Sequence, residues 1–353
     1  KAQEVFDELR VRDIISWNAI IAGFARHGHL EEVMNYIEQM RHEGLQPDHC
    51  TFFCILSVCG SLGAIEKGKE AHDMIVRRGL LEKDISVGNA LVDMYAKCGL
   101  LMKAQQVLEE LPARDVVSWN MLISGYVQQN EFYGVLNCFE CMQCEGISLD
   151  AASFVCVLKA CGVTGAIDKG NLIHSLIVRM GLLNEHFILG HILVDMYAKC
   201  GVPEEAQKVL LQLPNQETDS WNALIVGYAN KKKNREVFDC IAIMRKEGVS
   251  LNAATLLCLL KSCNSTEGII GMSERFRNEI AYRSLLKEDI QLGNALIDTY
   301  GKCGDLATAQ IIFEELPVRD DISWNALIAG YARWGLCHEA LNCLGLMQGE
   351  GLS

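Results

Sequence analysis

Between residues 14 and 48 the apolar side chains Ile14, Trp17, Ile20, Ile21 and Phe24 recur at helical spacing, and after Gly28 the set Leu30, Val33, Ile37 and Met40 does so again. Each set predicts one amphipathic helix. The breaks fall at Gly28 and at Gly44 with Pro47, where glycine can take the left-handed cap and proline forbids continuation. The segment therefore reads as a helical hairpin. One hairpin of this size cannot bury two apolar faces by itself, so its neighbours must stack on it.

The chain repeats this pattern. Ser-Trp-Asn recurs at Trp17, Trp119, Trp221 and Trp324, with spacings of 102, 102 and 103 residues. Lys-Cys-Gly at Lys97, Lys199 and Lys302, and Leu-Pro at Pro112, Pro214 and Pro317, keep the same period. Asp48, Asp84 and Asp115 divide the first full period into repeats of 35, 36 and 31 residues. The whole chain then divides into 1–13 (the tail of a short repeat), 14–48, 49–84, 85–115, 116–150, 151–186, 187–217, 218–252, 253–289, 290–320 and 321–353 (a standard repeat lacking its closing residue). The expected fold is a single all-α solenoid of helical hairpins.

Composition adds limits. Half of the residues are hydrophobic, only five are proline and 7% are aromatic, which favours packed helices over disorder or strands. No apolar run approaches the roughly 18 residues that would span a bilayer, so no membrane association is expected. The abrupt ends, inside repeats, suggest a piece of a longer protein, without a leader segment. The formal charge of −13 argues against a broad basic surface for nucleic acid but leaves room for a narrow basic stripe.

Most of the sixteen cysteines, among them Cys59, Cys98, Cys138, Cys161, Cys200 and Cys240, occupy equivalent positions of successive periods. Such positions lie a full period apart, so the cysteines read as buried free thiols in a reducing compartment. Cys138, Cys141 and Cys144 have metal-like intervals, and His29-Leu30-Glu31 imitates a zinc deaminase motif, but neither has the companion ligands that a site needs. No phosphate loop, nucleophile elbow or catalytic histidine set occurs. Neither an enzyme, a metal, a cofactor nor a small-molecule substrate is expected.

The hairpin "IISWNAIIAGFARHGHLEEVMNYIEQMRHEGLQPD" resembles the standard unit of the pentatricopeptide repeat family, and "ILSVCGSLGAIEKGKEAHDMIV" and "ISVGNALVDMYAKCGLLMKAQQVLEELPARD" resemble its long and short variants. The resemblance covers the whole chain. It implies a right-handed superhelix, single-stranded RNA as partner, and the class of plant organellar factors that select RNA-editing sites in mitochondria or plastids. Editing accessory proteins or a deaminase would be further partners.

In that family the fifth and last residues of a repeat together read one base. Here these are Asn18 with Asp48, Asn89 with Asp115, Asn120 with Asp150, His191 with Glu217, Asn222 with Asn252, and Asn294 with Asp320; Asn325 lacks its closing partner. Residues at the second position would flank the base: Ile15, Val117, Ile188 and Ile322, with Asp219 departing from the pattern. The thirteenth position holds Arg26, Lys97, Lys199, Lys302 and Arg333, cations suited to phosphates, beside Gln128 and Asn230.

Long repeats carry Phe53, Val155 and Leu257 at the fifth position and read as spacers or partner surfaces. Two structural alternatives stand beside these roles. The aspartates can simply cap the following helix, and a solenoid can equally serve as a scaffold for protein partners.

Overall fold

The computed structural model describes residues 2–9, 11–249 and 289–351, together with residues 252, 253, 255 and 257. Most of the 253–289 repeat, with Cys258 and Cys263, lies outside the described residues. Every described regular element is a helix, and no described helix is long and apolar enough to cross a membrane.

The helices fall into two compact bodies, Lys1–Leu182 and Leu183–Ser353. In the first, the hairpins pair Ile14–Arg26 with Leu30–His42, His49–Leu62 with Ile65–Arg77, Ile85–Lys97 with Leu101–Glu110, Val116–Gln128 with Phe132–Cys144, and Ala151–Thr164 with Ile167–Arg179. Each first helix packs on its own second helix, and the first four pack also on the first helix of the next hairpin. The first helices thus form a continuous row, and the stack is an α-solenoid. In the second body, Phe187–Lys199 packs on Pro203–Gln212 and on Thr218–Asn230, and Ile290–Cys303 packs on Leu306–Glu315 and on Asp321–Arg333.

Local chemistry sets the helix ends. Asp13, Asp48, Asp115, Asp150 and Asp320 each precede a first helix and accept a hydrogen bond from the backbone N–H three residues on. That satisfies a donor the helix itself leaves unpaired. Close approach within the row depends on small residues. A Cβ on Gly301 would stand 3.1 Å from the Gly330 Cα of the neighbouring first helix, so any side chain there must push the two backbones apart.

The recurrent tryptophans are core residues. Trp17 and Trp221 are wholly buried and Trp119 and Trp324 nearly so. The indole N–H of Trp17, Trp119 and Trp324 donates to Glu43, Glu145 and Glu350 at 3.3, 3.1 and 3.1 Å. At the matching place in short repeats, Gly88, Gly190 and Gly293 leave room for Leu111, Leu213 and Leu316, whose methyl groups lie within 2.5 Å of where a Cβ would be. Leucine from the hairpin's end therefore does the filling that tryptophan does elsewhere.

Candidate functional site

The fifth and last residues of a repeat meet at the junction between successive first helices. Asn18 Nδ2 donates to Asp48 Oδ1 at 3.0 Å, Asn120 Nδ2 to Asp150 Oδ2 at 3.0 Å, Asn294 Nδ2 to Asp320 Oδ1 at 3.1 Å, and Asn222 Nδ2 to Asn252 Oδ1 at 3.4 Å. A third member completes each contact. The hydroxyl of Thr51, Ser153, Ser323 or Thr255, third residue of the following repeat, donates to the asparagine Oδ1 at 2.6 to 2.7 Å. The hydroxyl and the carboxylate fix which end of the amide is oxygen and which is nitrogen.

Counting donors and acceptors shows what is left over. In an Asn–Asp pair, one N–H of the asparagine and the lone pairs of the second carboxylate oxygen are not fully used by the junction. Such a pair offers one donor and one acceptor. At Asn222 the closing residue is itself an amide: Asn252 Oδ1 accepts from Thr255 N at 2.9 Å and from Asn222, which leaves the Asn252 NH2 group as a donor. That junction offers two donors.

Burial pushes the carboxyls of Asp48, Asp115, Asp150 and Asp320 up, but the backbone N–H, hydroxyl and amide donors around them outweigh it and hold all four below the usual carboxylate value of 3.8. They remain acceptor-only at neutral pH. A depressed carboxyl contributes stability that is fully present above the unfolded value and is lost as pH falls through the folded one. The melting temperature should respond little to these groups above about pH 5 and drop below 3.8, and Asp150→Asn should remove part of that drop in thermal melts at graded pH.

Two junctions differ. The Asn89 amide also helps lower Asp115, but its Oδ1 is buried without a partner, because the Ser118 hydroxyl donates to Asp115 instead, at 2.9 Å. At the sixth repeat Glu217 makes no side-chain cap. Its carboxylate stands 3.6 Å from His191 Nε2, while His191 Nδ1 meets the Ser220 hydroxyl at 2.5 Å.

Around the junctions, Ile15, Val117, Ile188 and Ile322 are exposed apolar side chains, and Asp219 is exposed at the equivalent position. Asn325 is exposed on the last first helix. The thirteenth-position cations are exposed too, but they are not alike. Lys97, Lys199 and Lys302 pair with Asp93, Asp195 and Asp298, four residues earlier on the same helix, at 2.6, 2.7 and 2.5 Å. Arg26 and Arg333 have no ion pair among the described residues. Sequence reasoning singled out the lysines without these aspartates, although the i, i+4 spacing was visible; it also missed the third-position hydroxyls, which look like ordinary capping residues.

The metal-like motifs separate in space. Cys138 is buried while Cys141 and Cys144 are exposed, so the three do not converge. Burial pushes the thiols of Cys138 and Cys240 up to about 12 and that of Cys59 to about 11, which makes them inert packing groups. Asp48, His49 and Cys50 bring potential ligand atoms within 4.8 Å of one another, with His49 and Cys50 exposed and Asp48 Oδ1 already accepting from Thr51 N and Asn18 Nδ2. His72 is buried, its basicity lowered chiefly by desolvation, and its Nδ1 meets the Tyr95 hydroxyl at 2.9 Å.

The sequence and the fold are similar to those of known proteins. Residues 12–61 and 114–162 match the model of the PPR repeat family, and residues 89–116, 219–249, 294–320 and 322–352 match that of the PPR repeat. A chloroplastic pentatricopeptide repeat-containing protein of Arabidopsis thaliana is 32% identical over 99% of this chain, and a mitochondrial one from the same plant is 33% identical over 99%. The chain spans 56% of the first and 34% of the second. The crystal structure of the pentatricopeptide repeat protein PPR10 in complex with an 18-nt psaJ RNA element superposes with a TM-score of 0.66 at 18% identity, covering 99% of this chain and 52% of that one. Repeat period, hairpin stacking and sequence similarity along almost the whole length agree: the chain belongs to the pentatricopeptide repeat family.

Proposed function

We propose that this chain binds single-stranded RNA in a sequence-selective manner, one nucleotide to each standard or short repeat. The observation that carries the reading is the recurrent junction of Asn, Asp and hydroxyl. Four of the junctions hold an amide in one orientation and leave hydrogen-bonding capacity, and the repeats of Asn18 and Asn120 carry an exposed apolar side chain, Ile15 or Val117, at their second position. A repeated scaffold needs no such fixed polar group merely to pack. PPR10, whose fold is similar, is an RNA-bound member of the family.

The chemistry suits pyrimidines. Uracil presents a keto oxygen next to an N–H, which one donor and one acceptor satisfy, directly or through water. Cytosine presents two acceptors, O2 and N3, which two donors satisfy. Read along the RNA from 5′ to 3′, the chain should select U, any base, U, U, any base, an unassigned base at His191 and Glu217, C, any base, U. Ile15, Val117, Ile188 and Ile322 flank the bases. A binding selection from randomised single-stranded RNA tests both binding and order; recovery of no RNA, with capture of a protein partner through the same face, would replace this reading by a scaffold role.

Arg26, Lys97, Lys199, Lys302 and Arg333 would meet the phosphates. With about −0.7 per neutralised phosphate, log affinity should fall against log salt with a slope of about −3 to −4. The three lysines must first leave their aspartates, but an exposed i, i+4 pair is worth only about 0.3–0.5 kcal/mol, so phosphate can displace it. Replacing all three by Ala should weaken every RNA alike and flatten the slope by about 2.

The alternation of standard, long and short repeats and the plant organellar relatives support a location in a mitochondrion or plastid. There it would select sites for RNA processing such as editing, with the chemistry supplied by a deaminase or other partner.

A further inference from the structure

The first long repeat holds a feature that its sequence role as a spacer does not use. Of the adjacent pair Phe52 and Phe53, the first is wholly buried and the second is 53% exposed. The Phe53 ring lines a cleft of about 530 Å³ between the Ile14–Arg26 and His49–Leu62 helices, reaching the start of Ile85–Lys97. Ile15 stands on the same cleft, and the small side chains of Ala22 and Cys50 keep it open.

We propose that this cleft is a base-stacking site, in which Phe53 takes the face of the nucleotide that follows the one facing Asn18 and Asp48. The inference rests on the RNA reading above and assigns a ligand to a repeat that reading leaves blank. Two neighbours identify a nucleobase as the occupant. Asn18, whose amide is fixed by Asp48 and Thr51, lines the same cleft. So does Arg26, an exposed cation without an ion pair among the described residues and therefore available to the backbone phosphate. A strand laid along the row of first helices passes from the Asn18 junction over Phe53 before it reaches Asn89.

Every base has a π face, so a phenyl ring accepts all four and adds affinity without choosing among them. The equivalent residue of the second long repeat, Val155, is only half-exposed and has no ring. The site therefore belongs to the first long repeat alone among the two.

The test uses the 353-residue chain and a nine-nucleotide RNA in the proposed order, with each of the four bases or an abasic residue at the second nucleotide. Phe53→Ala should weaken binding about tenfold with every base there, Phe53→Trp should retain affinity, and Val155→Ala should have little effect. With the abasic RNA, Phe53→Ala should have no further effect, and 2-aminopurine at the second nucleotide should be quenched on binding the native chain but not Phe53→Ala. Equal affinity of Phe53→Ala and the native chain, or an undiminished loss with the abasic RNA, which would mark a folding or protein-docking role, would overturn the stacking site while leaving the Asn junctions as readers. Failure of the native chain to bind any RNA would overturn both.

Discussion

Trp119→Ala is expected to lower stability by about 3–5 kcal/mol, the usual cost of emptying a buried tryptophan site. The side chain sits in the Val116–Gln128 helix, which packs on the first helices before and after it and on Phe132–Cys144. Its indole N–H donates to Glu145 Oε2 at 3.1 Å, and the other carboxylate oxygen pairs with Arg114 at 2.8 Å. Truncation removes the apolar filling and one donor to a partly buried carboxylate together. Stacked repeats contact only their neighbours, so the loss should be local. Hydrogen exchange should quicken in the Val116–Gln128, Phe132–Cys144 and Ala151–Thr164 helices, with urea denaturation giving the total. A loss below about 1 kcal/mol would remove Trp119 from the core and reopen a stacking role for it.

The four recurrent tryptophans do not share this setting equally. Arg12 and Arg114 pair with the glutamates that accept from Trp17 and Trp119, but in the third period the arginine is replaced by Gln216. There both Gln216 Oε1 and the Trp221 indole N–H are buried without a partner. A buried donor that has no acceptor costs about 1–3 kcal/mol. Trp221→Phe, which deletes that donor, should therefore cost less than Trp119→Phe, which deletes one that is used.

Most of the scaffold could be read from the sequence because two independent signals coincide. The helical periodicity of Ile14, Trp17, Ile20 and Ile21 gives the buried face, and Asp48, Asp115 and Asp150 mark helix starts by their capping chemistry. First helices do begin at Ile14, His49, Ile85, Val116, Ala151, Phe187, Thr218, Ile290 and Asp321. Periodicity is weaker where two apolar residues adjoin. Phe52 and Phe53 both suit an apolar stripe, and only the packing of the hairpins decides that Phe52 goes in and Phe53 stays out. Polar partners across repeats are harder still. Thr51 lies 33 residues from Asn18, and no local pattern joins them, so the hydroxyl that orients the amide was invisible until the hairpins were stacked. Asp93 beside Lys97 is the opposite case, a pair on one helix face that the spacing alone could have supplied.

Asn252→Asp is expected to change which base the seventh position of the RNA prefers, from cytosine to uracil, and to leave the other positions as they were. In the native junction the Asn252 amide oxygen takes the backbone N–H of Thr255 at 2.9 Å, together with the Asn222 amide, while the Thr255 hydroxyl donates to Asn222 Oδ1. Asp150 shows that a carboxylate oxygen can hold the matching place, accepting from Ser153 N at 2.8 Å and from Asn120. The substitution therefore keeps the cap and exchanges one group only, an NH2 donor for a second carboxylate oxygen. Cytosine N3 then faces an acceptor where it had a donor, while uracil N3–H gains its match. One well-placed hydrogen-bonding pair discriminates between bases by about 1–3 kcal/mol, so relative affinity should shift about tenfold or more. Competition binding between RNAs that differ only at the seventh base measures it, and the unchanged cap predicts an unchanged melting temperature above about pH 5, where the new carboxyl is ionised. A variant that melts as the native chain does and still shows no shift in base preference would mean that Asn222 and Asn252 hold the helices together without reading a base.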